Sequence, residues 1–172
     1  MLEAESAGWI QGMNLALEQA RLAFAEGEIP VGAVLLDASG QLLAADHNRP
    51  IADHDPTAHA EIRVLRQGAC IKQNYRLSGT VLLSTVEPCL MCAGALIQAR
   101  IAGLVYGTDD PKAGAITSKM SLFEDCPWLN HRFWIQGGVL AEQSRELLQA
   151  FFAGKRCKAD FRSSAPPDPA DL

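Results

Sequence analysis

Between Gly8 and Gly27 the chain sets Ile10, Met13, Leu15, Leu17, Ala20, Leu22 and Phe24 in a helix-like pattern. The run is long and Ala-rich, and the spacing predicts a helix over about Gly8 to Glu26. Shorter apolar runs follow. Val31 to Leu36 reads as a buried strand, Asp37-Ala38-Ser39-Gly40 as a turn, and Gln41 to Ala45 as the returning strand. A helix opens near Thr57 and reaches about Gly68 or Lys72, and Thr80 to Ser84 is an apolar, β-branched strand. Pro88 suits a first helical position, where its missing N–H costs nothing, and this helix runs to about Arg100. Ile101 to Tyr106 is a strand, Gly107 to Gly114 a loop, Phe133 to Gln136 a last strand, and Glu142 to Phe152 or beyond a final helix. Ser163 to Leu172, with Pro166, Pro167 and Pro169, reads as a disordered tail.

Strands alternating with helices imply an α/β protein whose sheet is covered on both faces. We see no internal repeat and no linker, so residues 1–162 are expected to form a single domain, with 163–172 as its tail. Composition changes this picture little: 48% hydrophobic residues in 172 are ample for one core. No apolar run approaches the ~18 residues of a membrane helix. Met1-Leu2-Glu3-Ala4-Glu5 is acidic where a secretory signal would be basic and then apolar, so a cytoplasmic protein without membrane attachment is expected. The five cysteines fit that compartment, since their irregular spacing argues against a disulfide framework.

Charge adds a constraint. A net −5 is awkward for binding phosphate, which calls for lysine and arginine. The distribution is uneven, however: Phe151 to Ser163 carries Lys155, Arg156, Lys158 and Arg162 against Asp160 alone. This is either a local basic face or a solvated helix end.

The candidate chemistry lies in His59-Ala60-Glu61 and, about 30 residues on, Pro88-Cys89-Leu90-Met91-Cys92. Imidazole and thiolate are ligands zinc prefers, and three of them, His59, Cys89 and Cys92, leave a fourth coordination position for water. Glu61 is then free to shuttle protons. Cys89 and Cys92, at i and i+3, are expected to share a face in the first turn of their helix, and His59 to lie early in its own. Two helix N-termini would converge on one metal. The competing readings are a closed structural zinc knot, its fourth ligand drawn from Cys70, Cys126, Cys157, His47, His54 or His131, and a Glu61 that only pairs with the helix dipole.

The pattern H-x-E…P-C-x-x-C is the signature of zinc nucleobase deaminases. Ile29-Pro30-Val31-Gly32-Ala33-Val34, Asn48-Arg49-Pro50, His54-Asp55-Pro56-Thr57-Ala58, Gln73-Asn74-Tyr75-Arg76-Leu77 and Glu87 with Ala93-Gly94-Ala95 extend it. With them the chain, from about Gly8 to Phe152, closely resembles the bacterial tRNA-specific adenosine deaminases of the zinc-dependent cytidine/deoxycytidylate deaminase superfamily. The resemblance implies a cytidine-deaminase-like three-layer α-β-α fold with a five-stranded mixed sheet, one Zn2+ per subunit, a homodimer, and a tRNA anticodon stem-loop as partner. It implies deamination of adenosine to inosine at the wobble position, with Glu61 catalytic. It also implies substrate contacts from Ile29, Asn48, Ala60, Asp110, Lys112, Asn130, His131, Arg132 and Phe151. Asn48 would read the base, Lys112 would suit a phosphate and Asp110 a ribose hydroxyl, while Asn130-His131-Arg132 would form part of the anticodon-loop pocket.

Read as residues alone, Asn48 is more often a turn residue, Asp109-Asp110-Pro111-Lys112 an ordinary turn, and Ile29 or one of the pair Phe151-Phe152, which could stack splayed bases, plain core. The chain departs from the family pattern at Asp109, Pro111 and Ile116-Thr117-Ser118, and its tail lacks a basic extension. Two other functions stay open at this point: deamination of a free base or nucleotide, which needs no loop-recognition residues, and a non-catalytic zinc-stabilised RNA-binding module, which has no use for Glu61.

Overall fold

The structure, a computed structural model, describes the backbone of residues 2–163 and the side chains of 8–155. Of the expected tail, Ser163 is instead the last residue of a helix and 164–172 lie outside the described residues, as do the side chains of Arg156, Cys157, Lys158 and Arg162. The elements are α1 (Leu2–Ala25), β1 (Gly32–Leu36), β2 (Leu42–His47), α2 (Ala60–Lys72), β3 (Val81–Val86), α3 (Leu90–Ala99), β4 (Gly103–Thr108), α4 (Leu122–Asp125), β5 (Trp134–Gln136) and α5 (Ala141–Ser163).

The strands form one mixed sheet in the order β2-β1-β3-β4-β5. β1 pairs antiparallel with both β2 and β3; β3, β4 and β5 run parallel. The β1–β2 hairpin closes on Asp37, whose Oδ1 accepts the N–H groups of Ser39 (2.8 Å) and Gln41 (3.0 Å) while Gly40 takes φ +82°. The three parallel strands follow from helix-length crossovers, as parallel pairing requires.

Alternation along the strands divides the core in two. Ala33, Leu35, Leu82 and Leu104 face α2 and α3 through Val64, Leu65, Leu96 and Ile97. Val34, Leu36, Val81, Leu83 and Val105 face α1 through Met13 and Ala16. Strands buried on both faces read as unbroken apolar runs, which is why they were legible in the sequence. α1 lies so close to β1 that a Cβ on Gly32 would sit 2.0 Å from the Ala16 carbonyl oxygen.

Two expectations are corrected. Pro88 and Cys89 both precede α3, and Cys89 is its N-cap (φ −72°, ψ 172°), so the first-turn placement of Cys89 fails. His59 is likewise the extended N-cap of α2. α4, four residues long, had no periodic signal to announce it.

Candidate functional site

The two N-caps are the core of the site. Both α2 and α3 start at the sheet edge where β3 and β4 end and β1 begins. Neither His59 nor Cys89 caps its helix through its side chain. Extended backbone at both positions turns the imidazole and the thiol outward, toward each other. His59 Nδ1 lies 3.7 Å from Cys89 Sγ and 3.6 Å from Cys92 Sγ, and the two sulfurs are 3.7 Å apart.

Those distances test the fit to zinc. Tetrahedral coordination with Zn–S of about 2.3 Å and Zn–N of about 2.05 Å demands S···S of about 3.8 Å and N···S of about 3.6 Å. The side chains are spaced for a tetrahedral ion with three protein ligands. No other group of three metal-ligating side chains forms among the described residues. Hydrogen bonding from Cys92, aided by His59, draws the Cys89 thiol down to about 4, and the same sulfur–sulfur bond and burial push the Cys92 thiol up. A soft cation replaces that shared proton and holds both sulfurs as thiolates. The sulfur hydrogen bond raises the His59 ring above the usual imidazole range.

Glu61 sits in the first turn of α2, 4% exposed, beside His59 and Cys92. Burial pushes its carboxyl above the ordinary range, and Oε2 has no hydrogen-bond partner among the described residues. A buried, unsatisfied carboxyl oxygen costs about 1–3 kcal/mol or more, so its retention points to use.

The missing cap of α2 comes from Asn48. Its Oδ1 accepts the Ala60 N–H at 2.9 Å, in place of the cap His59 does not provide. The Ala60 N–H and Asn48 Oδ1 therefore satisfy each other, leaving the Asn48 amide donors for a ligand. Ile29 is exposed beside this segment, so it is not the core residue that its character would suggest. Glu28 Oε1 anchors the same loop by accepting Ile51 N–H (2.9 Å) and Ala52 N–H (2.8 Å).

Glu87 is the residue that sequence reading missed as part of the site. It is 2% exposed between β3 and the Pro88-Cys89 pair. Its Oε1 accepts the N–H groups of Ile116 (3.0 Å), Thr117 (2.7 Å) and Ser118 (2.9 Å). Its Oε2 accepts Asp110 N–H (3.1 Å) and the Ser118 hydroxyl. Burial opposes the charge, but the Ser118 and Thr117 bonds outweigh it and hold the carboxyl below its usual range. Gly114 faces Cys89 in an isolated bridge, and a Cβ there would lie 2.3 Å from Glu87 Oε2. Glu87 thus fixes the rim that carries Asp110 and Lys112. Asp110 spends Oδ1 on the N–H groups of Lys112 (2.9 Å) and Ala113 (3.2 Å), and Lys112 is exposed. We expect Glu87→Gln to cost about 1–3 kcal/mol, because an amide nitrogen would face donors. Faster amide exchange at Ile116, Thr117 and Ser118 with unchanged exchange in β1 would check it.

Other expected contacts lie elsewhere. His131 Nε2 donates to the Ile101 carbonyl at 2.8 Å, and the Asn130 carbonyl accepts from Arg100 at 3.4 Å. Asn130, His131 and Arg132 are therefore at the C-terminal end of α3, about 15 Å of helix from Cys89 in the same chain. Phe151 is 6% exposed and packs edge-on against Phe24, with Lys155 Nζ 4.8 Å from its ring centre. Phe152 is the exposed member of the pair, so the expected stacking surface of Phe151 is taken up by the protein.

The model of the cytidine and deoxycytidylate deaminase zinc-binding region matches residues 9–108. The chain is 49% identical to the tRNA-specific adenosine deaminase of Haemophilus influenzae over 84% of its own length and 83% of the relative's. It is 42% identical to that of Agrobacterium fabrum over 84% and 93%. A solved structure from work on A-to-I editing by tRNA:A34 deaminases at the wobble position of transfer RNA superposes with a TM-score of 0.77 at 41% identity, covering 80% of this chain and 99% of that one.

Proposed function

This chain belongs to the cytidine and deoxycytidylate deaminase zinc-binding family, and within it we propose that the protein deaminates adenosine to inosine at the wobble position of a tRNA anticodon. The reaction is hydrolytic: water replaces the 6-amino group of the base, and ammonia leaves. The observation that carries the reading is the conjunction of a three-ligand site with a buried carboxyl whose Oε2 has no hydrogen-bond partner among the described residues, in a chain so similar to tRNA-specific adenosine deaminases.

His59 Nδ1, Cys89 Sγ and Cys92 Sγ hold the ion. Zinc, when bound there, supplies Lewis-acid activation of water at neutral pH. Glu61 Oε2 takes a proton from the attacking water and delivers it to ring N1, then takes the second proton from the added hydroxyl and passes it to the amine, which leaves as ammonia while the C6 carbonyl forms. Asn48 Nδ2 donates to the base, while Ile29 packs on it. Lys112 meets phosphate from the rim that Glu87 anchors. A splayed anticodon base enters such a pocket without the cost of opening a duplex.

We also infer a cytoplasmic homodimer. Asn130, His131 and Arg132 lie by the end of α3 far from the metal centre of their own chain, and a second copy would bring them to the RNA loop held by the first. No helix among the described residues is long and apolar enough to cross a membrane.

Incubation with total tRNA, followed by sequencing for inosine, tests the function. Inosine at position 34 of the anticodon is the expected product. Its absence, with conversion of free guanine or cytosine instead, would overturn the reading.

The double role of Asn48 gives a separable prediction. Asn48→Ala removes the cap of α2 and should cost about 1 kcal/mol of stability along with activity. Asn48→Asp keeps the acceptor for Ala60 N–H but removes the amide donors. It should unfold near the wild-type temperature and still lose about tenfold or more in kcat/KM, as one lost base contact implies. Equal activity in Asn48→Asp and wild type would assign Asn48 to capping alone.

A further inference from the structure

Arginine partners divide this acidic protein in two. Arg49 is ion-paired with Glu26 and Asp53, Arg63 with Asp46 and Asp53, Arg66 with Asp55 and Arg145 with Glu142. Apart from Arg21 on α1, the arginines without a carboxylate partner among the described residues are Arg76, Arg100 and Arg132. These three are gathered at one pole, beyond the C-terminal ends of α2 and α3. The Leu77 N–H donates to the Ala99 carbonyl at 2.6 Å, which brings Arg76 and Arg100 together, and Arg100 in turn donates to the Asn130 carbonyl.

Neutral groups hold these guanidinium groups in place. Arg76 lies over the Tyr75 ring, 5.3 Å from its centre, with Nε donating to the Tyr75 hydroxyl at 2.9 Å. Arg132 lies 5.1 Å over the Phe123 ring and donates to the Phe123 carbonyl at 3.1 Å. The neighbouring Asp125 accepts from Ser121 N–H and makes no ion pair with Arg132. Such contacts orient the charge without cancelling it, which suits a guanidinium for phosphate. Two aromatic side chains stand in solvent on the same segments, Tyr75 at 67% and Trp128 at 74% exposure. Exposed rings interleaved with unpaired arginines form a surface for a flexible, stacked polyanion.

We propose that Tyr75, Arg76 and Arg100 form a second RNA-contacting face that binds the phosphate backbone of the tRNA substrate, about 15 Å of helix from the metal centre of its own chain. It extends the segment around Arg132 and rests on the reading of this protein as a tRNA enzyme. It also bears on how a chain of net charge −5 holds RNA: three of the four arginines without a carboxylate partner among the described residues are at this pole, and the fourth, Arg21, is on α1.

The test is tRNA affinity against salt concentration for the wild type, for Arg76→Ala/Arg100→Ala, and for Arg66→Ala/Arg145→Ala as the control from ion-paired positions. Each lost phosphate contact removes about 0.7–0.9 from the slope of log affinity against log salt. The Arg76/Arg100 variant should fall by about 1.5 and the control should keep the wild-type slope. Arg76→Lys/Arg100→Lys, which keeps the charge, should recover most of the slope and shows that lost folding is not the cause. An Arg76/Arg100 variant with the wild-type slope, or a control that falls equally, overturns the proposal. Failure of the underlying reading is separate: it would appear as a wild type that makes no inosine in tRNA.

Discussion

Glu61→Ala should reduce inosine formation by about 10²–10⁴-fold, the range that a positioned general acid–base group contributes, while zinc content and tRNA affinity stay at wild-type levels. The geometry behind this is specific. His59, Cys89 and Cys92 meet within ligand distance of one another without Glu61, so its removal takes no ligand from the ion. Its Oε2 bonds to nothing among the described residues, so little structure depends on it. Removing a buried group that burial already pushes toward its neutral form should leave folding intact or slightly improved. Glu61→Gln is the sharper variant, because it keeps shape and hydrogen bonding and loses only proton transfer. Single-turnover deamination measured beside metal content and tRNA binding checks both. A variant that loses zinc would place Glu61 among the ligands, and one with near-normal turnover would assign the proton transfer to another group.

The same site shows what sequence could and could not supply. Residue types and spacing were enough to assemble His59, Cys89 and Cys92, because ligand chemistry restricts those types so strongly. The buried strands were legible for a similar reason: Val81–Val86 and Gly103–Thr108 lie under helices on both faces and carry little polar character. Helix boundaries were less legible. A periodic pattern does not distinguish a residue that starts a helix from the extended residue before it, and here that one-residue difference is what turns His59 and Cys89 toward a common point. Glu87 was silent because its partners lie 23 to 31 residues away, on a loop with no periodicity. Its one local sign was an acidic residue between an apolar strand and Pro88. The family resemblance listed Asn130, His131 and Arg132 alongside Asn48. The chain path sends them to the opposite end of α3, a matter of topology that no local pattern records.

Loss of a metal ligand should have the other large effect, and unlike Glu61→Ala it should act on folding as well as turnover. Wild-type protein is expected to carry about one zinc per chain by elemental analysis. Cys92→Ala should carry little or none, lose activity to the background, and unfold at a lower temperature. Cys92 is fully buried at the junction of α3 with α2, and both helices begin at the site with extended N-caps whose side chains cap nothing. The ion would tie the two helix starts together through these side chains, and a ligand that binds only the folded state stabilises it by mass action. Chelation of the wild type should reproduce the loss of stability, and added zinc should restore it in the wild type but not in Cys92→Ala. Cys70→Ala is the matching control: Cys70 is an exposed thiol on α2, outside the ligand group, and its removal should leave zinc content and unfolding temperature unchanged. A Cys92→Ala protein with full zinc would mean that a fourth protein ligand compensates, and the site would then be the closed zinc knot with no position left for water.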